Sequence, residues 1–315
     1  MEHETAGDPI TGLKWTRKTT EKIAEKVKAL DINVSANTVG RILKEMGFSL
    51  RVNHKKKPSG NKNPPKPKDR DQQFTYIGEL RERFAGEGYP IISVDTKKKE
   101  AIGNFKNNGR SWEQKPVEVN DHDFRSDAIG MAVPYGIYDT ILNHGAIFVG
   151  ASYDTPAFAV DCIDLWWRNQ GQKYYPDATE LLILADCGGS NSSRSRVWKW
   201  GIQQKLCVNH NLSVTVCHYP PGTSKWNPIE HRLFSEISKN WAGVPLESYK
   251  KVTRYARTTT TVSGLKVRAR LIRKKYQKGQ TVSDEEMNNL PIERHGIFPN
   301  WNYTLNPDQK MLSYF

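Results

Sequence analysis

Three acidic residues sit where a charge is hard to justify on structural grounds alone. Asp95 closes the apolar run IISVD, and Asp186 closes ELLILAD just before the small-residue stretch CGGSN. Burying a carboxylate beside such runs is costly unless something binds it. Glu230 falls in the first turn of a helix, next to the apolar Ile229. Two strand ends and a helix start can converge on one point even when their acids are 91 and 44 residues apart in sequence. Converging carboxylates repel one another, and a hard divalent cation relieves the repulsion, with magnesium first and manganese as the alternative. Two such ions can activate a water or a 3′-hydroxyl and stabilise the leaving oxygen of a phosphodiester. Each acid also has a structural reading. Asp95 can pair with Lys97 or Lys99, and Asp186 can open an Asx-type turn. Glu230 can close a capping box with Asn227 as N-cap and Pro228 at the first helical position.

The elements that would carry these acids form an alternating series. YPIISVD reads as a strand, while residues 100–130 are polar, rich in Gly and Asn, and give no readable pattern. AVPYGIYDTI and HGAIFVGASYD read as a strand pair around Leu142–Gly145. Pro156 opens a helix that runs through Trp166 and Trp167. ELLILAD is a strand, RSRVWKWGIQQKLCVN a helix, LSVTVCHYP a strand, and NPIEHRLFSEISKNW a helix that buries Ile229, Leu233 and Ile237. Three meandering strands followed by αβαβα is the order of a ribonuclease-H-like domain. The expected fold class is therefore α/β, a mixed sheet flanked by helices.

Ahead of it, residues 15–48 read as two helices around a turn. Ile23, Val27 and Leu30 share one face of the first; Val39, Ile42, Leu43 and Met46 share one face of the second, behind the N-cap Ser35. With Asn37, Arg41 and Lys44 on its polar side, the second helix has the form of a DNA-recognition helix in a small all-α helix-turn-helix segment. The expected organisation is a partial helix-turn-helix over 1–52, a Pro/Gly/Lys linker over 53–72, and the α/β domain with a basic C-terminal extension over 73–315.

The net charge of +13 is concentrated in two blocks. Residues 51–70 hold eight Lys/Arg against one Asp, and residues 249–278 hold eleven Lys/Arg with no acid. Such blocks on a mildly acidic remainder point to a polyanion, most simply double-stranded DNA. Candidate phosphate contacts are Lys55, Lys56 and Lys57 in the first block and Lys266, Arg268 and Arg270 in the second, where they would line a DNA path beside the acids. A solvated linker and a solvated helix face are the alternative readings. Cys162, Cys187, Cys207 and Cys217 show neither CxxC nor zinc spacing. No apolar run reaches membrane-spanning length and no signal-peptide core opens the chain, so a cytoplasmic protein with no membrane partner is expected.

PPGTSKWNPIEHRLF resembles the PPxSxxxNPIE stretch of mariner-like and related transposases, in which the Glu closes an acidic triad. More closely, ISVDTKKKEAIGNFKNNGR, AVPYGIYD, LLILADCGGSNSSRSRVWK, VCHYPPGTSKWN and TTTTVSGLKVRARL, in that order, resemble the bacterial insertion-sequence transposases of the ISAzo type. The resemblance runs from about Trp15 to Tyr303. It implies a ribonuclease-H-like domain of the DDE superfamily, with Asp95, Asp186 and Glu230 as ligands of two magnesium ions. It also implies cleavage of DNA at the ends of a mobile element followed by 3′-hydroxyl attack on target DNA. A homo-oligomer acting on paired ends, associated with the bacterial nucleoid, is implied too. Family members are expected to carry further helical sequence before Pro9, so the chain reads as an N-terminally shortened copy; Cys187 stands where a Gly is expected. Two other readings stay open at this point. One is a non-catalytic DNA-binding remnant or repressor; the other is a metal-dependent nuclease that cuts without joining.

Overall fold

The structure is a computed structural model that describes residues 5–7, 14–16, 19–48, 65–111, 113–223 and 226–307, the first two stretches by their backbone alone. The chain divides into two compact units, Met1–Pro58 and Ser59–Phe315.

In the first unit, β1 (Thr5–Gly7) pairs antiparallel with β2 (Lys14–Thr16), ahead of α1 (Thr20–Lys28) and α2 (Ala36–Glu45). The expectation of an all-helical segment is corrected by this short ladder. Both helices are capped by hydroxyls: Thr19 accepts from the Lys22 N–H at 3.4 Å and Ser35 from the Thr38 N–H at 3.1 Å. Of the expected apolar faces only Ile23 and Val39 are buried, whereas Leu30, Ile42 and Met46 remain exposed. Two short helices do not enclose enough volume to cover both stripes.

The second unit opens with α3 (Pro67–Gly86), which takes in residues 67–72 of the expected linker. Pro67 at its first turn presets the helical φ, and Asp69 favours the helix N-terminus. Ile77 and Phe84 of α3 pack on Ile91, Leu182 and Leu184 of the sheet.

The remaining elements keep the expected order as far as the helix after Glu230, with one short strand added in the stretch 100–130 that gave no pattern; those beyond that helix had no counterpart in the sequence reading. The series begins with β3 (Ile91–Thr96), β4 (Glu100–Ile102), β5 (Gly130–Asp139), β6 (His144–Gly150), α4 (Pro156–Trp166) with a π turn at Trp167–Gly171, and α5 (Gln172–Tyr174). Next come β7 (Glu180–Ala185), α6 (Arg196–Ile202) with a π turn at Gln203–Val208, and β8 (Ser213–His218). A π turn at Glu230–Phe234 leads into α7 (Ser235–Asn240), and α8 (Tyr249–Arg257), β9 (Lys266–Ile272), α9 (Asp284–Asn288), β10 (Ile292–Arg294) and β11 (Asn302–Leu305) complete the unit.

The sheet order is β10-β11-β8-β7-β3-β5-β6-β9, with β4 paired on β5. β3, β7 and β8 run parallel, β5 is antiparallel to β3, and β6 is antiparallel to β5. This central arrangement is the ribonuclease-H-like sheet. Period-two alternation sorts its side chains onto two faces. Ile92, Val94, Leu181 and Ile183 face α4 and α6 around the fully buried Trp198. On the other face Ile147, Val149, Val267 and Ala269 pack against Ile229, Leu233, Phe234 and Ile237.

One glycine sets how closely that second layer approaches. Gly136 lies opposite Asp95 in the β3–β5 ladder, and a Cβ there would come within 2.3 Å of Phe234 and 2.9 Å of Ile229. Gly136→Ala is therefore expected to lower folding stability by roughly 1–3 kcal/mol through overpacking, read as a lower denaturant midpoint at unchanged slope.

Candidate active site

Parallel pairing of β3 with β7 places Val94 opposite Ala185, so Asp95 and Asp186 leave two adjacent strands side by side at their carboxyl ends. Neighbouring strands are about 4.8 Å apart. Asp95 accepts the Thr96 N–H at 2.7 Å. Asp186 accepts the N–H of Gly188, which is the turn geometry the sequence allowed, yet its Oδ1 is buried with no hydrogen-bond partner. Glu230 arrives from the opposite layer and shares a hydrogen bond with Asp95.

The capping-box reading of Glu230 does not hold. The Ser93 hydroxyl, two residues before Asp95, donates to Asn227 Oδ1 and accepts the Ile229 N–H at 3.3 Å. Asn227 is thus turned toward the sheet, and Glu230 is left to face the acids. Nor do the lysines neutralise Asp95. Lys97 pairs with Glu100 at 2.7 Å and lies over the Trp241 ring, and Lys99 pairs with Asp154 at 3.4 Å.

Asp154, just ahead of α4, is a fourth carboxylate that the sequence marked only as the residue closing HGAIFVGASYD before the Pro156 helix. It accepts from the Thr96 hydroxyl at 3.2 Å. Asp95, Asp154 and Asp186 line one cleft of about 700 Å³ together with Lys97, Lys98, Lys99 and Arg125. Burial first, and then the charges of Asp186, Glu230 and Asp154, push the Asp95 carboxyl well above the ordinary carboxylate range. Burial likewise raises Asp186, and Glu230 and Asp154 add to it. Glu230 is raised by burial and drawn back by His231, Lys97 and its bond with Asp95.

The loop and strand behind Asp186 are held by neutral groups. Asn191 is fully buried, accepting from the Tyr135 hydroxyl at 2.8 Å and donating to the Val94 carbonyl at 3.4 Å. His218 Nδ1 meets the Asp186 carbonyl at 2.8 Å, and its Nε2 meets the Tyr303 hydroxyl at 3.3 Å, which in turn accepts from Trp198 Nε1 at 3.0 Å. Burial drops His218 to about 4, so the ring is neutral, donates from Nδ1 to the carbonyl and accepts at Nε2. The lone polar Ser93 inside IISVD was the one legible sign of this support; His218 and Tyr303 carried none.

An all-oxygen donor set with an orphaned buried Oδ1 fits a hard divalent cation held by Asp95, Asp186 and Glu230. As placed, no three His, Cys, Asp or Glu side chains among the described residues are already closed around a metal position.

The other candidate residues lie elsewhere. Asn37, Arg41 and Lys44 are exposed on α2, Arg41 in an i,i+4 pair with Glu45 at 3.1 Å. Lys55, Lys56 and Lys57 fall outside the described residues. The basic block 249–278 is part helix, α8, and part sheet edge, β9, rather than one helix face. Along the ladders Asp95 aligns with Gly136, Ile147 and Ala269, so the flanking Arg268 and Arg270, with Lys266, project from the opposite face three strands away. The expectation that they lie beside the acids is corrected by strand alternation; the cations of the cleft are Lys97, Lys98, Lys99 and Arg125.

The raised carboxyls have a pH consequence. Asp95 and Asp186 bind protons more tightly folded than unfolded, so stability falls as pH climbs from the ordinary carboxylate range through their raised values. In chelator at neutral pH, Asp95→Asn is expected to melt about 2–4 °C above wild type for each kcal/mol relieved. The gap closes as pH falls toward about 4, which thermal melts across pH would show.

Among solved structures, the Mos1 transposase paired-end complex with left transposon end is 15% identical with a TM-score of 0.43, covering 76% of this chain and 65% of that one. The pre-cleavage Mos1 transpososome is 14% identical with a TM-score of 0.42, at 76% and 65% coverage. The mariner Mos1 paired end complex with Mg is 15% identical with a TM-score of 0.43, again at 76% and 65%. The chain thus spans under two thirds of the length of these proteins. No curated protein matches. The family described as the Rhodopirellula transposase DDE domain matches residues 1–307, and the chain belongs to that family.

Proposed function

We propose that the protein is the DDE transposase of a bacterial insertion sequence, cutting DNA at element ends and joining the freed 3′-hydroxyl to target DNA. The observation that carries this reading is the delivery of Asp95, Asp186 and Glu230 to one place from two parallel strand ends and a facing helix, within a chain of the transposase DDE family. Magnesium, or manganese, is the proposed cofactor, with those three carboxylates as its ligands; when bound it would supply Lewis-acid activation of the attacking oxygen and charge for the leaving one.

The chain's own part is positional. Ser93 and Gly136 set the height of Glu230 over Asp95, and His218 fixes the Asp186 backbone. Lys98, Lys99 and Arg125 supply the cleft with positive charge for a phosphodiester. Double-stranded DNA is the proposed partner. Asn37, Arg41 and Lys44 of α2, with Lys55, Lys56 and Lys57, would contact the element ends. Lys266, Arg268 and Arg270, at alternate positions about 6.6 Å apart along β9, would carry DNA along the sheet edge. Action as a homo-oligomer on paired ends in the bacterial nucleoid belongs to the same proposal. No helix among the described residues is long and apolar enough to cross a membrane.

Strand transfer of a pre-cut DNA end into plasmid, with magnesium and with manganese, tests the reading. Wild type is expected to join the end and Asp186→Asn to give no joined product while still binding DNA. Cutting without joining would support a nuclease, and tight binding with neither would support a DNA-binding remnant. Reversing Lys266, Arg268 and Arg270 to Glu is expected to weaken DNA binding and flatten its dependence on log salt by about 0.9 for each phosphate no longer neutralised; an unchanged slope would make the row a solvated edge.

A further inference from the structure

Asp154 has an ordinary structural reading as an acid ahead of the α4 N-terminus, where the helix dipole favours negative charge. Its contacts go further than that reading needs. Thr96 holds two acids at once: its N–H donates to Asp95 Oδ1 at 2.7 Å and its hydroxyl to Asp154 Oδ1 at 3.2 Å. That hydroxyl has one proton, so the buried Ser190 hydroxyl, 3.3 Å away on the loop after Asp186, donates to it. Ser190 and Thr96 thus tie Asp154 to both aspartates of the cleft it lines. The second oxygen of Asp154 meets Lys99 Nζ at 3.4 Å, its one ion pair among the described residues. The two partners differ in freedom: the Asp154 side chain is 12% exposed and that of Lys99 47%. The other charges nearby are placed differently. Lys97 is held by Glu100, and Lys278, which shares a small hollow with Asp154, lies over the Tyr153 ring at 4.7 Å. Asp121, Asp123 and Asp127 are exposed on the segment that carries Arg125, and of these Asp123 lines the neighbouring hollow together with Lys98 and Lys99.

We propose that Asp154 is a fourth acid of the cation site and that Lys99 stands in for the cation beside it until a DNA phosphate draws the lysine away. The inference rests on the transposase reading and adds to it one residue and one coupling. With Lys99 in place, its ammonium occupies an Asp154 oxygen and repels a divalent cation approaching Asp95 and Asp186. Lys99 also lines the cleft, so a phosphodiester entering there competes with Asp154 for the same ammonium. When the lysine turns to the phosphate, Thr96 still fixes one oxygen of Asp154 and the other is freed. The freed oxygen adds negative charge and an acceptor for the water shell of a cation held by the other three acids. Phosphate and cation thereby favour each other through one lysine, and the coupling is reciprocal. The charge of Asp154 already acts on both aspartates, helping to hold their carboxyls above the ordinary range.

The test measures Mn2+ binding to the full chain by calorimetry and by the rise in melting temperature, without DNA and with a saturating pre-cut DNA end. Without DNA, Lys99→Met is expected to bind Mn2+ about three to five times more tightly than wild type, the worth of an exposed ion pair. The same change in an Asp154→Asn background is expected to bring little gain, which assigns the effect to the pair. Asn keeps an acceptor for the Thr96 hydroxyl, and melting in chelator checks that each variant is folded. With the DNA end, wild type is expected to gain Mn2+ affinity, and Lys99→Met to gain less by the factor it has already realised. No gain from Lys99→Met without DNA, or an equal gain in the Asp154→Asn background, overturns the proposal. So does a wild type whose Mn2+ affinity is the same with and without the DNA end. In each of these cases, strand transfer by wild type and its loss in Asp186→Asn leave the transposase reading standing. A wild type that binds no Mn2+ with or without DNA overturns the cation site and this inference together.

Discussion

Repulsion among carboxylates is the constraint around which the second unit is arranged. Asp95, Asp186 and Glu230 act on one another in a half-buried space, and Asp154 adds to the field at both aspartates. Left to themselves, such side chains would swing apart or recruit lysines. Here the lysines nearest in sequence are diverted, Lys97 to Glu100 and Lys99 to Asp154. The acids stay together because the backbone beneath them is fixed by two parallel strands whose register is set by fully buried residues such as Ile92, Val94, Ile183 and Ala185. Slipping that ladder by one residue would turn each apolar set to the wrong face, so packing energy opposes the repulsion.

The supports around the acids are neutral. Ser93 bridges sheet and helix, Asn191 ties the loop after Asp186 back to β3, and His218 reaches the Asp186 carbonyl from β8. Neutral donors and acceptors fix geometry without cancelling the negative charge that a cation site depends on. A guanidinium in any of these places would hold the acids as firmly and compete for the same oxygens. His218 serves because burial keeps it uncharged. The reciprocal amide pair of Gln73 and Asn302, both bonds at 2.7 Å, extends the same principle outward by fastening α3 to β11.

Positive charge falls in two places. Lys98, Lys99 and Arg125 line the cleft together with the acids, and Lys266, Arg268 and Arg270 stand on the outer strand β9. The cations of β9 are thereby spread over a surface apart from the carboxylates, a distribution suited to attracting a polyanion. The alternation of β9 makes it possible, since Val267 and Ala269 complete the core on one side while the three cations face solvent on the other.

The order of strands and helices was legible in the sequence because apolar runs such as IISVD and ELLILAD must be buried strands, and their terminal acids stand out against them. The roles of Asp95 and Asp186 as strand-end acids needed nothing more than local pattern. Other features depended on contacts between residues far apart in the chain. Asp154 resembled an ordinary residue before a helix until Thr96, 58 residues earlier, was brought beside it. The pairing of Glu230 with Asp95 rather than with its own helix end was decided by Ser93, 136 residues from Ile229. The small burial of the N-terminal helices and the outward row of β9 likewise followed from what packs against them, not from their periodicity. Sequence by itself determined the strands and helices from Tyr89 to Trp241 that carry strong apolar runs and where acids end them, because those are local properties of side-chain period. Tertiary structure alone decided which acids meet, which cations stay apart from them, and how deep the site lies, because charges and hydrogen-bonding groups choose partners by distance in space.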